Sequence, residues 1–148
     1  MWPERSVNPL DQARQLLRHL ADARVQYDSI MLDIEGSNWI NGSLYTAIQN
    51  QDFVMALVNA FAEAGVPVAI YCSGSQFNQT FGSNFTSLSR LPLIYAHYDN
   101  IPSYVDIADS PFGGWPSPSG KQFFDGAGGE QICGSGVLDW DWSREPWW

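Results

Sequence analysis

The chain has 148 residues, the size of one domain at roughly 150 residues each. Seven Lys and Arg against sixteen Asp and Glu give a formal net charge of −9. That balance argues against nucleic acid and anionic membranes as partners, because both are held by clustered Lys and Arg. With 45% hydrophobic and 16% charged residues the composition is that of a folding chain, and no apolar run approaches the ~18 residues of a membrane span.

The pattern along the chain alternates helix with strand. Asn8-Pro9 reads as N-cap and first helical position, and Leu10, Ala13, Leu16, Leu17 and Leu20 follow on one helical face. Ile30-Met31-Leu32 runs as a strand into Asp33-Ile34-Glu35 and stops at Gly36. After a loop from Ser37 to Tyr45, Phe53, Leu57, Ala60, Phe61 and Ala64 line a second helix, closed by Gly65. Val66 to Tyr71 is apolar almost throughout, as buried parallel strands are. Ser73 to Arg90 reads as a loop with one short helix, and Leu91 to Tyr98 as a third strand. The next twenty residues hold Pro102, Pro111, Gly113, Gly114, Pro116 and Pro118, an irregular excursion. Lys121 to Phe124 and Val137 to Trp140 complete about five strands. Strand–helix–strand order predicts an α/β fold with a parallel sheet and right-handed crossovers. A closed eight-stranded barrel typically takes ~250 residues and ~200 at least, so the chain is too short for one.

Two cysteines, Cys72 and Cys133, make neither a disulfide framework nor a zinc site; one bridge and two buried thiols are both open. Three glycosylation sequons begin at Asn41, Asn78 and Asn84 and lean toward a secreted protein. The start, Met-Trp-Pro-Glu-Arg, has no basic region followed by an apolar one. A secreted character without a signal peptide leads to the expectation of a missing N-terminal part.

Asp33 and Glu35 carry the sharpest chemical signal. In a strand, residues i and i+2 face one side, about 6.6 Å apart, so both carboxylates point into one space at the C-terminal end of a buried strand. In α/β barrels that end carries the active site. An ionised Asp33 would push the pKa of Glu35 upward, and a protonated Glu beside an ionised Asp suits general acid cleavage of a glycoside. Two carboxylates capping a strand, or one paired with Arg, is the bland alternative. At the other end, Asp139 and Asp141 share one strand face and Trp140 and Trp142 the opposite one. Acids beside flat aromatics suit a sugar subsite, and seven Trp in a small chain fit that idea. A Trp-rich tail packed on the core is the competing reading, and Trp147 and Trp148 read as tail only. His19 is expected to be structural, near a helix C-terminus, and His97 to be a hydrogen-bonded core histidine. Ser73-Gly74-Ser75 lacks the Gly-x-Ser-x-Gly elbow. Neither a phosphate-binding glycine loop followed by Lys nor an HExxH motif occurs, so a serine hydrolase, nucleotide enzyme or zinc enzyme is disfavoured, and no metal or cofactor is expected.

These motifs together resemble glycoside hydrolase family 25, the muramidase-type lysozymes. Met31 to Gly36 is similar to the family's Asp-x-Glu strand, and Pro67 to Tyr71 to the next. Leu93 to Tyr98 resembles the following strand with its Ala-x-Tyr ending. Gly114-Trp115-Pro116 with Lys121-Gln122-Phe123 resembles the run into a late Trp-Gln-Tyr strand, and Val137 to Asp141 the closing Asp motif. Tyr95-Ala96-His97-Tyr98-Asp99 looks closest to the animal-type branch. The resemblance implies a glycosidase-type (β/α) barrel, with residues 1–148 as the C-terminal portion of one catalytic domain. It implies hydrolysis of β-1,4 bonds between N-acetylmuramic acid and N-acetylglucosamine in peptidoglycan, without metal and by a monomer. Glu35 would be the proton donor, Asp33 would tune the site, and Asp139 would be the C-terminal acid, with Asp141 as second choice. Tyr71, Tyr98 and Gln122 would line the subsite with Asp141 and Trp140. A secreted, lysosomal or phagosomal location follows, and the pI of about 4.3 suits an acidic compartment.

Two departures are visible. Ile94 stands where many members carry Trp. The family's first-strand Asp has no counterpart, since Met1-Trp2-Pro3-Glu4 resembles the end of the third strand. About three strands are therefore expected to be absent upstream, and an inactive sugar-binding remnant or fragment is the alternative function.

Overall fold

A computed structural model of the chain describes residues 1–39, 42, 44–126 and 138–144. Helix α1 spans Pro9–Asp22, and the Asn8 side chain caps it by accepting from the amides of Leu10 and Asp11. Strand β1 (Ile30–Asp33) is followed by a 3-10 turn, Ser37–Trp39. Helix α2 (Ala47–Glu63) opens with a capping box in which Thr46 and Gln49 satisfy each other's backbone amides. It closes at Gly65, whose φ of +73° is the left-handed turn that glycine adopts without strain. Then come β2 (Val68–Cys72), α3 (Gly74–Phe81), β3 (Leu93–Ala96), α4 (Val105–Asp109), β4 (Gly120–Phe124) and β5 (Trp140–Trp142).

The sheet runs in the order β1-β2-β3-β4-β5, and its first four strands are parallel. Strand β5 departs from the all-parallel expectation: it lies antiparallel to β4. A parallel return needs a crossover, usually a helix, and the link from Asp125 to Asp139 carries Gly126, Gly128, Gly129, Gly134 and Gly136, a composition hostile to one. The register slips at Phe123, a bulge that tightens the turn of β4 toward β5. Strand β5 begins at Trp140; Val137, where the sequence pattern placed its start, lies outside the described residues, as do Cys133, the Asn41 sequon, Trp147 and Trp148. The short α4 was not expected within the proline-rich excursion; it fits between Pro102 and Pro111.

One face of the sheet is the core. Leu32, Ile70, Cys72, Leu93 and Tyr95 are buried there together with Leu57, Phe61, Phe77 and Phe81 from the helices, each side chain contributing roughly 1.5–3 kcal/mol by burial. Phe77 is the hub, with ring centroids of Phe81, Phe85, Phe112 and Trp115 between 5.0 and 6.2 Å away. The chain can pass Trp115 only as glycine: a Cβ on Gly113 would lie 2.2 Å from that indole. Cys72 is a free, buried thiol, pushed well above its usual range, first by burial and then by Asp33. Arg5, itself buried, ties the N-terminal segment to α2: Nε donates to Asn50 Oδ1 at 2.9 Å, and the guanidinium lies 4.0 Å from the Phe53 ring centroid.

Lys121 is the unexpected member of this face. It is fully buried, and its Nζ donates to Asp99 Oδ2 at 2.7 Å and Asp106 Oδ1 at 3.0 Å. Asp106 also accepts from Tyr95 Oη at 2.7 Å and pairs with His97 Nδ1. Burial alone would raise Asp106, but bonds from Tyr95, His97 and Lys121, with the lysine's charge, hold it at about 2. The network ties the segment carrying α4 back onto β4. Lys121→Met leaves two carboxylates without their cation and should cost roughly 2–4 kcal/mol. Urea unfolding would read this as a lower midpoint at unchanged slope; an unchanged midpoint would contradict the role.

Candidate active site

The opposite face of the sheet carries the candidate residues, at the C-terminal ends of the strands. Asp33 is the Cα partner of Tyr71, and Gln122 is flanked by Ala96 on one side and Asp141 on the other. Tyr71 is level in turn with Ile94 and Gly120, so the Gln122–Asp141 pair stands two residues further along than the Asp33–Tyr71 pair, on the same face of the sheet.

Gln122 organises the middle. Its Oε1 accepts from Tyr71 Oη at 2.5 Å and from Tyr98 Oη at 2.9 Å, and the two hydroxyls are 3.4 Å apart. Both acceptor positions of the amide oxygen are thereby used, which fixes the side of the ring pair to which the amide group points its two donors. Tyr71 is half-buried and held well above the ordinary phenol range, by burial first, then by Tyr98, Glu35 and Asp33. The three residues that the sequence grouped as subsite lining are in mutual contact.

Asp33 and Glu35 flank the buried Ile34, whose amide donates to Tyr71 O at 2.8 Å and so continues the β1 ladder. The alternation puts both carboxyls on the Tyr71 side, as expected. Asp33 is itself pushed up to about 6, by burial first and by Glu35 second, with the N-terminal ammonium opposing. Its Oδ1 is buried without a hydrogen-bond partner among the described residues. Asp33 is partly buried at the end of β1, whereas Glu35 follows exposed just before Gly36, whose φ is +97°.

Asp141 lies beside Gln122 and is raised by desolvation and then by Asp139. Asp139 is exposed, just before β5. Trp140 is exposed as well and edges against Phe123 and Phe124, with centroids 6.3 and 6.2 Å away. Alternation turns it to the face opposite Asp141, whereas Trp142 packs 4.6 Å from Tyr104. Ile94 is buried on the site face between Tyr71 and Gly120.

His97 corrects another expectation: its side chain is 55% exposed and bound to Asp106. It borders a separate cavity of about 240 Å³ with Ser73, Tyr95, Asp106 and Phe112, on the side of the sheet away from Gln122. His97, Asp99 and Asp106 could in shape hold a cation, but Lys121 Nζ already sits between the two carboxylates. Sequence reasoning missed this network and missed Trp2, whose Nε1 donates to Glu35 O at 2.9 Å. The pattern gave one signal for the network, a lysine inside a buried strand.

Comparison with known proteins now bears on this geometry. Residues 1–123 match the family model described as Lys-1, Lysozyme-like protein 1. The chain belongs to this lysozyme-like family, within glycoside hydrolase family 25. It is similar to two proteins of Dictyostelium discoideum named probable GH family 25 lysozymes 4 and 2. Identity is 34% over 91% of this chain for the first and 36% over 90% for the second. The chain spans 58% of the length of either relative. Among solved structures it resembles a muramidase from Trichobolus zukalii, with a TM-score of 0.67 at 18% identity over 95% of this chain and 63% of that one. The fold of this chain, mixed α/β with a five-stranded sheet among the described residues, is thus similar to that muramidase's.

The state of Asp33 makes a stability prediction. A carboxyl raised in the fold to about 6 from an unfolded value near 3.8 contributes fully below pH 3.8, and that contribution is lost as pH rises through about 6. Asp33→Asn, which cannot ionise, should therefore stabilise the fold by roughly 1–2 kcal/mol at pH 7.5, less than the full shift because solvent screens a half-exposed carboxyl, and by almost nothing at pH 4. Urea titrations at the two pH values check this; an equal effect at both would contradict the buried carboxyl.

Proposed function

We propose that this chain is the later part of a single catalytic domain that hydrolyses β-1,4 bonds between N-acetylmuramic acid and N-acetylglucosamine in peptidoglycan, with Glu35 as general acid. The sheet is read as an arc of a glycosidase-type barrel. An apolar hollow of about 450 Å³ lined by Met31, Ala69 and Ile94 supports this, on the site face but at the opposite strand ends, where the inward side chains of such a barrel would meet.

The observation that carries the functional reading is the carboxyl pair: Asp33, with an unpartnered buried oxygen, beside the solvent-reachable Glu35 and the Tyr71–Gln122–Tyr98 cluster. In this reading Glu35 delivers its proton to the bridging oxygen as the bond from C1 breaks and its electron pair leaves with that oxygen. The carbonyl oxygen of the substrate's own 2-acetamido group closes on C1, an assisted route known for glycosidases. The Asp33 carboxylate accepts the acetamido N–H and so aims that carbonyl. Water then opens the ring, adding at C1 and returning a proton to Glu35. Tyr71, Tyr98 and Gln122 bind the sugar's polar groups, with Asp141 and Asp139 toward the β5 side; Trp140, expected to line the subsite, is turned to the other face of the sheet. No step calls for a metal or cofactor.

A monomer acting outside the cell or in an acidic lysosomal or phagosomal compartment suits the low pI, the surface position of Asn78 and Asn84 in two sequons, and the absence among described residues of a helix able to cross a membrane. Clearing of a Gram-positive wall suspension tests the reaction. Glu35→Gln should slow clearing by at least about 100-fold while wall binding persists. Equal clearing by the variant would remove Glu35 from its role, and binding without clearing by the unaltered chain would favour a sugar-binding remnant.

A further inference from the structure

The indole of Trp2 is 52% exposed and yet it is not free. Its only polar atom is spent inward, Nε1 donating to the carbonyl of Glu35 at 2.9 Å. The residues on either side are fixed as well. Met1 N donates to Met31 O at 2.7 Å and Met1 O accepts from Asp33 N at 2.8 Å, the bonding of a parallel pair that sets Met1 opposite Leu32. Pro3 is buried. Trp2 is thus level with Asp33 on the outer side of β1, and side chains level across a ladder share a face. It extends the level of Asp33 and Tyr71 by one place beyond β1, on the face that also carries Gln122 and Asp141.

We propose that Trp2 is a stacking platform for a sugar ring, forming a subsite on the side of Glu35 away from Tyr71; this rests on the polysaccharide reading above. The chemistry selects the ligand. With its N–H consumed, the indole offers only its ring face, so recognition there is by apolar contact and not by hydrogen bonding. In a β-1,4-linked amino sugar every ring substituent is equatorial, which leaves a face of C–H groups that matches a flat aromatic. The neighbouring carboxyls Asp33 and Glu35 disfavour an anionic planar ligand such as a nucleotide. A large aromatic side chain left half in water but held in one orientation loses little entropy when a ring settles on it, which is the economy that makes tryptophan common at binding hot spots.

The test follows the indole N–H signals of the 148-residue chain by nitrogen–proton NMR during titration with the trimer of β-1,4-linked N-acetylglucosamine. The Trp2 signal is identified by its loss in Trp2→Phe. The expected result is a saturable shift of that signal, affinity weakened about tenfold in Trp2→Ala, and affinity within about threefold of the original in Trp2→Phe, which keeps the ring face. Three results would overturn the proposal. If other signals shift while Trp2 stays still, the cleft binds sugar without a platform and the polysaccharide reading survives. If Trp2→Phe weakens binding as much as Trp2→Ala, the hydrogen bond to Glu35 matters and the ring face does not. If no signal shifts at all, platform and polysaccharide reading fall together. The wild-type titration decides the matter even if Trp2→Ala fails to fold.

Discussion

Four strands lie parallel in a register that puts Asp33, Tyr71 and Gln122 on one face of the sheet, and the site depends on that register. Asp33 opposite Tyr71, and Gln122 opposite Ala96, are backbone pairings; a slip of one residue in any strand would turn its contribution into the core. The register is in turn held by the buried face. Leu32, Ile70, Leu93 and Tyr95 have no other place to go once the helices have packed, and each residue that they alternate with is thereby delivered to the cleft. Apolar packing on one side positions the chemistry on the other.

Strand β4 shows the two demands meeting in adjacent residues. Gln122 faces the cleft and gathers two tyrosine hydroxyls on one oxygen, whereas Lys121 faces the core side and gathers two carboxylates on one nitrogen. The lysine network anchors the segment from His97 to Asp106, and Tyr98, which reaches back to Gln122, lies within that segment. A buried cation on one face therefore steadies a hydroxyl on the other, through two residues of backbone.

Much of this was legible in the sequence, and the failures have physical causes. Asn8-Pro9 and Gly65 marked helix ends because capping is local chemistry, and Asp33-x-Glu35 could be placed on one face because a strand has period two. The direction of β5 was not legible, since it depends on a glycine-rich link whose path no periodicity encodes. The partial desolvation of Asp33 was not legible, because spacing tells which charges are close but not which one is removed from water; Asp33 is partly buried, whereas Glu35 is exposed. His97, Asp99, Asp106 and Lys121 are separated by up to 24 residues and meet only through the fold. Trp2 likewise reaches Glu35 only across a sheet edge.

The central claim is that Asp33 is a partly buried, raised carboxyl beside an exposed Glu35 on the cleft face. Carbon-13 NMR titration of the Asp33 side-chain carboxyl in the intact chain tests it most directly. A midpoint near 6, falling part of the way back in Glu35→Gln, is the predicted result. A midpoint near the ordinary value of about 4, indifferent to Glu35, would mean that the carboxyl is open to water and that the pair does not form the site described.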